Sequence, residues 1–266
     1  MSIHPTAVVH PTAVLADGVV IGPYSVIEEN ASIGEGTVLA NNVTIRRNVS
    51  LGKGNVVHPC VVLGGPPQDL GYRGDATMLQ IGDENIIREH VTINIGTAKG
   101  GGLTTIGNKN FLMTGCHIAH DCILEDEIII TNAVLLAGHI LVERNAVLSG
   151  AAACHHFSTI GRFAFVGGLS RIVQDAPPFM IVEGNPSRVR GVNAVGLKRA
   201  GFTDDKIEAL KVAHRRIFRT SQVRREILLE MKRSGELTPE VSYLIEFLLR
   251  SSAAQYGRAR ESLRTW

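Results

Sequence analysis

From Ile3 onward an aliphatic residue returns at every sixth position: Ile3, Val9, Leu15, Ile21, and so on to Leu63. The period resumes at Ile81, Ile87 and Ile93, and again from Ile106 to Ile172. Of these 26 positions only Cys154 is not Ile, Leu or Val. The fifth position of each hexad is usually small or β-branched (Ala7, Ala13, Ser25, Ala31, Thr37, Val43), and the second is often Gly (Gly22, Gly34, Gly52, Gly82, Gly107, Gly161, Gly167). A period of six fits neither a helical stripe nor simple strand alternation. It fits a coil of three short flat strands per 18 residues, with coils stacked about 4.8 Å apart. The aliphatic residue points inward, the small residue fits the corner, and Gly is expected to relieve the turn.

Two segments interrupt the period. Residues 64–80 (GGPPQDLGYRGDATMLQ) skip two hexad starts, and residues 94–105 (NIGTAKGGGLTT) hold three consecutive glycines. Inserts in a solenoid leave as loops, and loops often carry function. After Ile172 the period ends. A Pro/Gly-rich connector, DAPPFMIVEGNPSRVRG, leads to helical signals. Thr203 or Asp204 can cap a helix carrying Ile207, Leu210, Ile217 and Phe218. Ser221 can cap a second with Val223, Ile227, Leu228 and Met231, ending at Gly235. Thr238 and Pro239 start a third with Val241, Leu244, Ile245, Leu248 and Leu249. The expected organisation is a mainly β solenoid over 1–185 and a small C-terminal α-helical domain over 186–266, which caps one open end.

Composition agrees with this picture. The 266 residues are 44% hydrophobic but only 5% aromatic, with 28 glycines, which suits a thin, turn-rich structure. Residues 1–185 carry 10 Lys/Arg against 16 Asp/Glu, a balance of −6, whereas 186–266 carry 17 against 9, a balance of +8. The basic tail, with Arg215, Arg216 and Arg219 on one expected helix, is a surface for an anionic partner; its mixed charge argues against nucleic acid. The opening MSIHPTAVVH has neither a basic nor a long apolar stretch, and no apolar run approaches the roughly 18 residues of a membrane span. That predicts a cytoplasmic protein with no integral membrane segment and reduced cysteines. Cys116 and Cys122 occupy fifth positions and Cys154 an inward start, so they read as core.

Histidine is concentrated in the repeat. His117, His120, His139, His155 and His156 fall within 40 residues. Residues 18 apart stack in adjacent coils, so His120, Gly138 and His156 share one column and Asp121 stacks with His139. Imidazoles beside a carboxylate suit proton transfer near neutral pH. The Gly138 N–H, one coil from His120, is a candidate oxyanion donor. Two other readings stand beside this one: polar turn residues on a wet corner, or a metal site using His117, His120 and His139.

The hexad pattern resembles the hexapeptide-repeat proteins, which implies a left-handed parallel β-helix. The segments PQDLGYRG (67–74), IGDENIIREHVTINIGT (81–97), HIAHDC (117–122), LAGH (136–139), VGG (166–168), QDAPPF and GVNAVGLKRAGF (191–202) resemble more narrowly the acyl-carrier-protein-dependent UDP-N-acetylglucosamine O-acyltransferases, which begin lipid A synthesis. The resemblance spans nearly the whole chain. It implies His120 as general base, Asp121 as its partner and Gly138 as the oxyanion donor. It implies His117, His139 and His156 at the substrate, Asp69 at the acyl 3-hydroxyl, Gly168 at the end of the acyl groove, and Asn193 and Arg199 reaching the nucleotide. It also implies a homotrimer with sites between subunits, an acyl donor on the phosphopantetheine of acyl carrier protein, and no metal or other cofactor. Gly71, His156, Pro186, Val195 and Ala200 depart from the family pattern; the acceptor position, a 3-hydroxyl or a 3-amino group, is therefore left open. The alternatives are a coenzyme A-dependent hexapeptide acyltransferase and, outside enzymes, a structural or ice-binding solenoid. The last would show regular Thr ranks and no looped His cluster.

Overall fold

The structure is a computed structural model, and it describes residues 1–220, 222–233, 235 and 237–264. Among the described residues very short strands, mostly two residues each, form three sheets of 11, 9 and 8 strands, parallel except for the last strand of the first. The chain visits the sheets in turn, and away from the two inserts each strand of the repeat pairs with one 18 residues away, as in Ser2↔Val20, Val8↔Val26 and Val14↔Ser32. This is a parallel β-helix with a three-sided cross-section. The hexad-start residues line its axis: Ile27, Ile45, Leu63, Ile93, Ile118 and Leu136 are all at most 1% exposed. Fifth-position residues are buried too, from Ser25 and Ala31 to Ala164. Cys116, Cys122 and Cys154 belong to this core, and burial pushes each thiol up to about 12.

The coil resumes in register after both interruptions, with one local shift between Leu63 and Gly65 where the first begins. Across the first, Leu51 pairs with Ile81, and across the second, Ile81 pairs with Ile106. A buried ladder at another corner runs through both: the Asn85 N–H donates to Asn55 Oδ1, the Asn110 N–H to Asn85 Oδ1, and the Ile128 N–H to Asn110 Oδ1. Both loops leave at one corner, between the 9-stranded and 8-stranded sheets.

The second-position glycines do not serve the turn as expected. The left-handed residue of each turn is the fourth, and it is usually not Gly: Tyr24 (φ 57°), Asn42 (56°), Asp121 (60°) and His139 (63°). The second-position glycines answer a different constraint. A Cβ at Gly34 would lie 2.5 Å from the Gly52 carbonyl carbon, and one at Gly22 would lie 2.7 Å from that of Ala40. They permit coil-to-coil contact.

The connector is not irregular. Met180–Gly184 adds to the 11-stranded sheet beside Phe165–Val166, then turns back antiparallel as Ser187–Val192. The alternating apolar run Met180, Val182 supplies an inward face that prolongs the core, which the surrounding Pro and Gly obscured in the sequence. Four helices follow: α1 (Ala194–Arg199), α2 (Asp204–Phe218), α3 (Arg224–Arg233) and α4 (Pro239–Ala253). Thr238 caps α4 by accepting from the Val241 N–H, with Pro239 in the first turn. Thr203 precedes α2 without a side-chain cap bond. The proposed cap Ser221 lies outside the described residues. The helices close the C-terminal end of the prism through Phe163, Phe179, Phe202 and Tyr243, whose rings contact one another. Tyr243 also donates to buried Glu143 at 2.6 Å and carries Arg162 over its face. At the other end Ile3 stays 42% exposed.

Candidate active site

The histidine cluster occupies the same corner as the two loops. His120 and Asp121 lie between strands His117–Ile118 and Ile123–Leu124, and Gly138 and His139 lie one coil further on. Third-position residues such as His120, Gly138 and His156 project from the corner, whereas the backbone of the fourth carries the turn. Pro5, Pro11, Pro23 and Pro59 fill the third position in other hexads. The regular turn therefore offers no backbone acceptor for an N–H there, and where such an N–H is bonded, as at Lys53, Asp83 and Arg162, a side chain of an adjacent coil accepts. At Gly138 no side chain accepts either, and its N–H donates no hydrogen bond among the described residues.

His120 Nδ1 lies 2.7 Å from Asp121 Oδ2. With the carboxylate holding the Nδ1 proton, Nε2 is left as the outward, proton-accepting nitrogen. The His120 ring lies against Gly138: a Cβ there would sit 2.6 Å from its Cε1 and 2.9 Å from its Nε2. His139 stands edge-on to His120 at 5.2 Å between centroids, stacks on Phe157 at 4.3 Å, and places Nε2 3.5 Å from Asp121 Oδ2.

Asp121 is the buried hub, its side chain 1% exposed. The Thr97 N–H and hydroxyl donate to its carboxylate at 2.8 and 2.7 Å, and its own N–H donates to Thr104 Oγ1. Gly100 packs directly on the carboxylate, with no room for a side chain. Thr97 and Gly100 belong to the second loop and Thr104 to the strand Leu103–Ile106 that ends it, so the glycine run is the lid of this hub. Burial pushes the Asp121 carboxyl up, but the hydrogen bonds from His120 and Thr97 outweigh it and hold the group below its ordinary range. Burial lowers His139, with the Asp121 charge opposing, and lowers His117 and His156 as well. These three imidazoles are therefore neutral at pH 7, beside an ionised carboxylate.

The other expected residues are spread over the molecule. His117 Nδ1 is 2.8 Å from Thr92 Oγ1, on the face of the 9-stranded sheet beside the cluster. His156 lies beyond Gly138, its ring edge-on to His155. Asp69 sits in the exposed first loop and accepts from the Gly71 N–H at 2.7 Å. Gly168 lies at a different corner, between the 11-stranded and 9-stranded sheets, above Gly150. Asn193 is at the third corner: its side chain caps α1 and donates to the Phe163 carbonyl. Arg199 is exposed in the last turn of α1. One chain thus gathers His117, His120, Asp121, Gly138, His139 and His156, but neither Gly168, Asn193 nor Arg199. The metal-binding alternative changes too. Among the described residues the ligand-type groups within 4.8 Å of one another are His120, Asp121 and His139, not the three histidines; His117 bonds instead to Thr92. Sequence reasoning missed Thr97, Thr104 and Phe157; the glycine run 100–102 was the only signal of that cover.

The chain matches two family models: Udp N-acetylglucosamine O-acyltransferase, Domain 2, over residues 175–256, and the bacterial transferase hexapeptide (six repeats) over 30–65. A protein of Alkalilimnicola ehrlichii is 49% identical over 250 residues, covering 94% of this chain and 97% of its own. One of Synechocystis is 48% identical over 202 residues, covering 76% and 72%. Both bear the name acyl-acyl-carrier-protein–UDP-N-acetylglucosamine O-acyltransferase. Among solved structures, a UDP-N-acetylglucosamine acyltransferase of Bacteroides fragilis superposes with TM-score 0.90 at 35% identity, covering 92% and 96%. A UDP-N-acetylglucosamine O-acyltransferase of Moraxella catarrhalis gives 0.88 at 40% identity, with the same coverage. No described helix is long and apolar enough to cross a membrane.

Proposed function

The chain belongs to the UDP-N-acetylglucosamine O-acyltransferase family, and from that premise we propose a mechanism built on the His120–Asp121–Gly138 corner. The reaction is transfer of an acyl chain from acyl carrier protein to UDP-N-acetylglucosamine, the first step of lipid A biosynthesis. The acyl group is a 3-hydroxyacyl chain and the acceptor is the sugar 3-hydroxyl. The single observation that carries the mechanism is the His120 ring, held by Asp121 and lying against a turn whose Gly138 N–H is unused.

His120 Nε2 takes the proton from the sugar 3-hydroxyl as its oxygen attacks the thioester carbonyl. The C–O bond forms, and the Gly138 N–H donates to the resulting oxyanion. The C–S bond then breaks, and His120 returns its proton to the phosphopantetheine thiolate. Asp121 stays ionised and stabilises the imidazolium. A neutral His139 adds no competing positive charge. The residues balance the proton among themselves, and no metal or redox cofactor enters. General-base catalysis of this kind is worth about 10²–10⁴-fold. Asp69 meets the acyl 3-hydroxyl, and His117 and His156 line the substrate path.

The proposed assembly is a homotrimer. Gly168, Asn193 and Arg199 lie at other corners than His120, so a neighbouring copy brings them to one site. Arg215, Arg216 and Arg219 remain the candidate surface for acidic carrier protein, although Arg215 pairs with Glu208, Arg216 with Glu230, and Arg219 donates to the Arg190 carbonyl.

Mass spectrometry of products formed from UDP-N-acetylglucosamine and a panel of 3-hydroxyacyl carrier proteins tests the reaction. A product acylated at the sugar 3-oxygen is expected, and its loss in His120→Ala is expected with it. Acylation only of a 3-amino sugar, or only from coenzyme A, would replace this reading by one of its rivals. Light scattering is expected to give three times the 28.7 kDa chain mass, and a fully active monomer would refute the shared site.

A further inference from the structure

The chain continues past its helical cap. After α4 it turns at Tyr256 (φ 58°) and Gly257 (φ 66°) and runs back over the prism as a short 3₁₀ helix, Ala259–Leu263. The return is tightly fastened. The Asp175 N–H donates to the Gly257 carbonyl and the Ala259 N–H to Asp175 Oδ2, at 2.9 and 2.8 Å. Asp175 Oδ1 accepts from the Thr159 N–H of the last coils. Arg258 is buried, reaches the Val173 carbonyl at 2.8 Å and pairs with buried Glu261 at 2.6 Å. Burying two charged side chains in a tail is costly unless they are paired, and here they are.

This fastening delivers Arg260 to the catalytic corner. Its Nε donates to the His139 carbonyl at 3.1 Å, across 121 residues of sequence. Four residues on, the Arg264 guanidinium lies 5.0 Å over the Phe157 ring, the same ring that stacks on His139. The tail therefore grips the 137–140 turn by its backbone and, through Phe157, by its imidazole. We infer that Arg260 is a positioning residue for acyl transfer: by fixing the His139 carbonyl it holds the turn that presents the Gly138 N–H beside His120. The inference rests on the reading of Gly138 as oxyanion donor. Arg260 touches no reacting atom. Small displacements of a preorganised donor are expensive, up to about 10²-fold for roughly 1 Å.

A double-mutant cycle between Arg260→Ala and Gly138→Ala tests it, with steady-state kinetics on the full-length enzyme and a thermal melt of each variant. Arg260→Ala is expected to lower kcat about tenfold, with both KM values changed less than about twofold and the melting temperature nearly unchanged. In the Gly138→Ala background the same substitution is expected to cost less than about twofold, because the donor it aligns is already displaced. Arg260→Lys keeps a donor and is expected to recover most of the turnover. Unchanged kcat in Arg260→Ala, or losses that simply multiply, overturns the inference. So does a loss matched by a lower melting temperature and unrescued by Lys, which marks a merely structural tail. A silent Gly138→Ala instead overturns the oxyanion reading, and the role of Arg260 with it.

Discussion

Two of the turns that carry histidine beside a hydrogen-bonding partner have opposite fates. In the first coil His4 occupies a second position, and its Nδ1 lies 2.9 Å from the hydroxyl of Thr6. The pair is exposed, and Thr6 in turn accepts from the Tyr24 N–H of the next coil. At the loop corner His120 occupies a third position with Asp121 behind it, and a loop covers the pair. The residue type is the same. Hexad position decides which way the ring projects, and the inserted loop decides whether its partner is buried. A carboxylate that is 1% exposed and held by Thr97 is a fixed charge, whereas a hydroxyl in water is only a turn stabiliser.

The sharpest way to break that comparison is to disturb the neighbour rather than the base. Gly138→Ala puts a Cβ 2.6 Å from His120 Cε1, so the ring, the turn or both must move. The backbone N–H remains, but turnover is expected to fall by about 10²-fold, the cost of displacing a catalytic group by roughly 1 Å. Circular dichroism and oligomer mass are expected to stay as in the wild type, because the added methyl meets the His120 ring at the turn and not the aliphatic residues along the axis. Near-normal turnover would mean that the His120–Gly138 contact is incidental.

Much of this architecture was legible in the chain. A column of residues 18 apart is a geometric statement, so stacking His120 on Gly138 and Asp121 on His139 required only counting. The inward cysteines followed from hexad position for the same reason. What counting did not reach lies off the lattice. Thr97 meets Asp121 because an insert folds back over it, and no period governs an insert. The strand Met180–Gly184 was hidden by the prolines and glycines around it, although its alternating burial is that of an ordinary final rung. The second-position glycines were recognised but given the wrong cause, because a clash with the next coil is not visible in one coil. Arg260 stood in a basic tail among many arginines, and only the return of the chain gives it a target.

The loop cover is the next term to test. Thr97→Val keeps the shape but removes the hydroxyl donor to Asp121 while leaving the N–H bond. A hydrogen bond to a buried charge is worth about 1.5–3 kcal/mol, so unfolding at pH 7 is expected to become easier by about 2 kcal/mol. The pH dependence has a definite sign. Asp121 is held below its ordinary value of 3.8, so its contribution is full above that value and is lost as pH falls through the lower folded value. Thr97→Val raises the folded value, and its deficit relative to wild type is expected to shrink as denaturant unfolding is repeated toward pH 3. A deficit independent of pH would assign Thr97 to packing and to the bond it accepts from the Gly100 N–H, and leave Asp121 to be oriented by His120.

The smallest effect belongs to the other turn, and it is the control that gives the larger ones meaning. His4 and His10 each bond to a threonine two residues on, and both threonines also accept from the following coil, at Tyr24 and Asn30. Replacing both histidines by Ala leaves those coil-to-coil bonds in place. The side chains are exposed, and surface changes of this kind cost within about 0.5 kcal/mol. Turnover of the His4→Ala/His10→Ala double variant is therefore expected to match wild type, with a melting temperature shifted by no more than a few degrees. Kinetics on the carrier-linked donor decides it. A fall of tenfold or more would show that imidazoles matter wherever this helix places them, and the distinction between an exposed turn and a covered, carboxylate-held one would have to be given up.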